Sequence, residues 1–106
     1  MRSKFDSPMR IVDGSVQACG PLEWESGETE ALVSVTITQR DDRIAGMASS
    51  SSGVLPPAEE WMLTVAPSGN KKFKKGAAHA EGMVCTPTDD DVTMFHWSEE
   101  IELVKD

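Results

Sequence analysis

The sequence predicts an all-β domain, a small two-sheet antiparallel sandwich of about six or seven strands. Three observations lead there. No long run carries a helical apolar period, several runs alternate apolar and polar residues, and clusters of Gly, Pro, Ser or Asp separate them at intervals of about 8 to 15 residues. A chain of 106 residues has room for one core. Residues 10–106 therefore read as a single β-sandwich domain, behind an N-terminal tail or irregular lead-in at 1–9 that carries no pattern.

The first strand is expected from Arg10 to Cys19, with Val12, Gly14, Val16 and Ala18 on one face. Gly20-Pro21 interrupts it, Leu22 and Trp24 continue its parity, and Ser26-Gly27 turns the chain. The clearest strand runs from Glu28 to Gln39. There Ala31, Val33, Val35 and Ile37 alternate with Leu32, Ser34, Thr36 and Thr38, the pattern of one dry and one wet face. Arg40-Asp41-Asp42-Arg43 forms a charged turn into Ile44 to Ser49, which makes a hairpin. Residues 49–58, four serines followed by Gly-Val-Leu-Pro-Pro-Ala, read as a mobile Ser/Pro-rich loop.

Trp61, Leu63 and Val65 share one face of a short core strand, and Pro67-Ser68-Gly69-Asn70 turns it. After Lys71 to Lys75, a strand at Ala77 to Thr86 places Ala78, Ala80, Gly82 and Val84 on one face. The last strand runs from about Asp91 to Val104. A turn centred near Thr88 and Asp89 sets Gly82 opposite Phe95, Ala80 opposite Trp97 and Glu81 opposite His96, so that small residues face large ones. Ser98-Glu99-Glu100 predicts a bulge or bend. These strands and spacings fit an immunoglobulin-like or fibronectin-like architecture, with a small barrel as the alternative. The cysteine-to-tryptophan spacing and tyrosine corner of true immunoglobulin domains are missing, since the chain has no Tyr.

The composition narrows the partners. Eighteen acidic residues against 10 basic ones give a net charge of −8, which opposes nucleic acid and anionic membranes. Hydrophobic residues make up 39% of the chain, so the core should be adequate but thin. No stretch is apolar for the ~20 residues that a membrane helix needs. The start, Met-Arg-Ser-Lys-Phe-Asp-Ser-Pro, lacks an apolar segment, so a cytoplasmic location is expected unless a signal has been removed. The two cysteines, Cys19 and Cys85, permit one disulfide, but their strand parities favour two reduced thiols.

Each candidate site competes with a plain packing role. His79 and His96 could share zinc with Cys85 or Glu81, but no ligand spacing supports it, and no metal or cofactor is expected. Asp41-Asp42 and Asp89-Asp90-Asp91 are oxygen-rich turns, which Asp occupies for its local backbone bonds without any calcium. Glu59-Glu60 and Glu99-Glu100 are neighbours in sequence, and a catalytic carboxylate pair is defined by distance in space. The serines 49–52 lack a nucleophile elbow and a positioned base. Trp24, Trp61 and Trp97 could stack on sugar, yet each shares parity with apolar neighbours.

Lys71, Lys72, Phe73, Lys74 and Lys75 form the most distinctive local feature. They hold four of the ten basic residues, which leaves six against 18 acidic ones, or −12, for the rest of the chain. This basic corner is a candidate contact for a partner, and the plain alternative is that it protects a strand edge. The expected function is a non-catalytic interaction or assembly module that binds another protein or its own kind through that corner or a strand edge. A carbohydrate-binding module using exposed Trp is the alternative, and a hydrolase with a hidden site is the third reading.

Overall fold

A computed structural model describes residues 1–39, 44–49 as backbone alone, 54–68, 72–87 and 91–105. Those residues form seven strands and no helix: β1 (Met9–Val12), β2 (Ser15–Pro21), β3 (Leu32–Gln39), β4 (Ile44–Ser49), β5 (Glu60–Val65), β6 (Gly76–Pro87) and β7 (Val92–Lys105). The all-β class holds. The expected turns at Arg40–Arg43 and Thr88–Asp90, and residues 50–53, 69 and 70, lie outside the described residues.

The expected strand from Arg10 to Cys19 is two strands. Asp13 and Gly14 take φ values of 54° and 82°, the left-handed pair that closes a two-residue hairpin. β1 folds back on β2 with Ile11 opposite Val16. The turn also switches parity: Ile11 is buried, whereas Val12, expected inside, is 40% exposed. β2 then runs on through Gly20 and Pro21, paired with Trp61 and Glu60 of β5. Gly20 does not break it because the missing side chain makes room for the Lys4 carbonyl.

All seven strands join one ladder in the order β4-β3-β6-β7-β1-β2-β5. The two antiparallel sheets expected from the sequence are therefore not seen as separate sheets. One pair is parallel, β1 beside β7 with Met9 opposite Leu103. The sheet curls until its edge strands β4 and β5 approach each other, and Ala31 and Val54 bridge with hydrogen bonds of 2.8 and 2.7 Å. A twisted sheet with one apolar face buries that face by rolling around it. Val33, Val35, Ile37, Val65, Ala80 and Val84 line the inside and are fully buried.

Residues 1–8 form no strand, but they pack rather than trail. Met1 and Phe5 are buried in the core, Arg2 bridges to Glu23, and Asp6 N–H donates to the Cys19 carbonyl at 2.9 Å. Phe5 fills the space between Trp61 and Trp97, with ring centroids 5.9 and 5.1 Å away. A thin core gains from such filling, since a fully buried Phe contributes about 1.5–3 kcal/mol.

The β6–β7 ladder is unbroken from Gly76 opposite Leu103 to Pro87 opposite Val92. Gly82 faces Trp97 and Val84 faces Phe95, a slip of two residues from the expected register because Pro87 stays in the ladder. A slip of two keeps every side chain on its expected face. The bulge expected at Ser98-Glu99-Glu100 is absent. Glu99 shares the inner face with Trp97 and Ile101, and its carboxylate accepts a hydrogen bond from Phe5 N–H at 3.4 Å.

Candidate functional site

The basic corner is built on a buried anchor. Phe73 is 3% exposed, and its N–H donates to the Gly14 carbonyl at 3.2 Å. Gln39, at the end of β3, clamps the next residue: its amide donates to the Lys74 carbonyl at 2.7 Å and accepts from Lys74 N–H at 2.9 Å. Lys72, Lys74 and Lys75 project from this frame, exposed, while Lys71 lies outside the described residues. Phe73, Lys74 and Lys75 line an open depression together with Lys105. Lys105 comes from the end of β7, and nothing in its local sequence links it to the cluster. The cluster precedes β6 and does not flank the open strand edge described below.

The residues considered for zinc do not converge. His79 stands opposite Glu100, whereas His96 stands opposite Met83, four places along the same ladder. Instead His79 lies between two carboxylates, with Nδ1 2.8 Å from Glu100 and Nε2 3.5 Å from Glu81. The hydrogen bond with Glu100 raises its pKa above the ordinary imidazole value, opposed by slight burial and helped by Glu81. Cys19 and Cys85 are free thiols on β2 and β6, which β7 and β1 separate. Burial, then the Asp6 carboxylate 3.6 Å from its sulfur, pushes the Cys19 thiol up and keeps it protonated.

The other candidates also dissolve into packing. Glu99 and Glu100 point to opposite faces of β7, as neighbours on a strand must. Asp91 accepts a bond from the next N–H, that of Val92, at 2.7 Å, while Asp41, Asp42, Asp89 and Asp90 lie outside the described residues. The three Trp rings turn inward. Trp61 is 2% exposed and donates to the Ser3 hydroxyl at 2.8 Å; Trp24 donates to the Ala58 carbonyl at 2.7 Å. Trp97 stacks on Phe95 at 5.8 Å and 20°, and its indole N–H is buried without a partner.

One side of β7 is open along most of its length. β7 is paired along its whole length with β6, but β1 covers its other side only from Leu103 to Lys105. Among the described residues, no strand and no further backbone hydrogen bond reaches that side between Val92 and Glu102. The stretch Val92-Thr-Met-Phe-His-Trp-Ser98 contains no Lys, Pro, Gly, Asp or Glu, the residues with which proteins usually blunt an edge. Val92 and Met94 are 57% and 61% exposed.

The register extends this edge into a surface. Leu32, Cys85 and Met94 stand side by side across the outer face of β3, β6 and β7, and Leu32 is 41% exposed. Met83, Pro87 and Val92 flank that row on the same face by parity. Farther along, the face turns acidic at Glu81, Glu100 and Glu102. No family model matches the chain, and neither a curated protein nor a solved structure matches it. Among the described residues there is no helix long and apolar enough to cross a membrane.

Proposed function

We propose that this chain is a non-catalytic interaction module that docks an extended strand onto the open side of β7. The observation that carries the reading is the uncharged, exposed edge from Val92 to Ser98, continuous with the apolar row of Leu32, Cys85 and Met94. An edge strand offers a ready row of N–H and C=O groups, and alternate side chains supply the specificity. The incoming strand would place one face against Met94 and Val92 and the other near Phe95 and Trp97. The basic corner is a separate contact of opposite sign to the chain as a whole, suited to steering an acidic partner into place.

Amide hydrogen exchange tests this reading directly. In dilute protein, those amides from Thr93 to Ser98 that point away from β6 should exchange fast, and strand-forming peptides offered in excess should slow them. Protection of all these amides in the dilute, isolated chain would sink the proposal, because the edge would already be covered.

A further inference from the structure

We infer that the strand docked on β7 is β7 of a second copy of this chain, antiparallel, with the two-fold axis at Met94. The inference rests on the edge reading above and names its occupant. An antiparallel pair of identical strands is related by a two-fold axis, so the contact closes at two copies and uses up the same edge on both.

The register selects the axis. With Met94 opposite Met94 of the second copy, the row Leu32, Cys85, Met94 meets the same row reversed. Six side chains then lie in line on the outer face, and none of them is charged. On the inner face, Thr93 falls opposite Phe95 of the second copy, so a small residue faces an aromatic one on both sides of the axis. Val92 falls opposite His96. The carboxylates of Glu99, Glu100 and Glu102 lie beyond the stretch from Val92 to His96. Moving the axis to Phe95 would set Met94 against His96 and break the apolar row. Moving it to Trp97 would set Met94 against Glu100 and bury an acidic group against a thioether, which is costly.

The charge of −8 on each copy works against the pairing at low salt, and screening relieves it. The dimer should therefore tighten as salt rises, whereas a basic partner held by the acidic end of the same face would be released.

Sedimentation velocity on the full chain, from micromolar to millimolar protein at low and high salt, reads this. The expected result is a monomer–dimer equilibrium that salt strengthens. M94K places two ammonium groups face to face at the axis and should weaken association by about a hundredfold. L55K, at an exposed position off the row, should leave it unchanged. A cysteine scan in a background with both native thiols removed (C19S/C85S), since Cys85 stands beside Met94 in the same chain, then checks the register: under mild oxidation M94C should join to itself, with peptide mass spectrometry locating the bond, while V92C should not. Dimers that join elsewhere would overturn the register. A lone monomer at every concentration and salt would overturn the second copy as occupant. Hydrogen exchange on that monomer separates the two ideas: fast outward amides leave the edge free for another protein's strand, and protected ones remove the edge reading as well.

Discussion

Replacing Gly82 with Ala adds a single methyl group, and the structure fixes where it must go. An ideal Cβ at Gly82 would lie 2.6 Å from Cη2 of Trp97 and nearer still to Cε2 and Cζ2. The indole covers the glycine directly across the β6–β7 ladder. It has little freedom to retreat, since Phe5, Phe95 and Trp61 stand around it at 5.1, 5.8 and 6.3 Å. Overpacking of this kind costs about 1–3 kcal/mol, and each disturbed ring pair adds about 0.5–1.5 kcal/mol. Alanine recovers about 0.5–1 kcal/mol through a less flexible unfolded chain. The net expected loss is about 2 kcal/mol, a fall in Tm of about 8–10 °C for a domain of this size. Urea denaturation of wild type, G82A, W97L and G82A/W97L measures it as a double-mutant cycle. In the W97L background the alanine should cost under about 0.5 kcal/mol, because the smaller side chain leaves room for it. A neutral or stabilising G82A, or the same loss in both backgrounds, would refute the placement of Trp97 over Gly82.

Three further outcomes are expected. Burial alone would raise the Glu28 carboxyl, but hydrogen bonds from the Met1 ammonium at 2.8 Å, Glu25 N–H at 2.6 Å and the Thr86 hydroxyl outweigh it and hold the pKa below the ordinary value. Its stabilisation is therefore full above the ordinary carboxyl range and lost as pH falls through the lowered folded value. E28Q should cost about 1–3 kcal/mol at neutral pH and flatten the acid limb of a stability-against-pH curve; an unchanged limb would contradict the pairing. His79 should titrate by NMR above the ordinary imidazole value and drop in E100Q. Because its folded pKa is raised, whatever stability the pair adds is complete below the unfolded value and lost as pH rises through the folded one, and solvent exposure keeps that contribution small. G14A forces a Cβ into the left-handed region at φ 82° and against the Lys72 side chain. It should cost about 1–2 kcal/mol by thermal melts, whereas D13N should be nearly neutral, since Asn tolerates that conformation.

The sequence by itself determined the class and the faces of β3, β5 and β6. Alternation in β3 placed Val33, Val35 and Ile37 inside, and the small residues of β6 opposite large ones of β7, because a period of two depends only on local backbone geometry. It also carries the Asp13-Gly14 hairpin, a signal masked because Val12, Gly14 and Val16 alternate across it as if in one strand. Tertiary structure alone decided the rest. Two sheets and one curled sheet have the same strand pattern, and only long-range pairing distinguishes them; the parallel contact of β1 with β7 joins residues at opposite ends of the chain. The register of β6 on β7 could slip by two without moving any residue to another face. The open edge was invisible for the same reason: a strand's sequence records which side chains are buried, while the number of neighbours its backbone finds is set by where the rest of the chain runs.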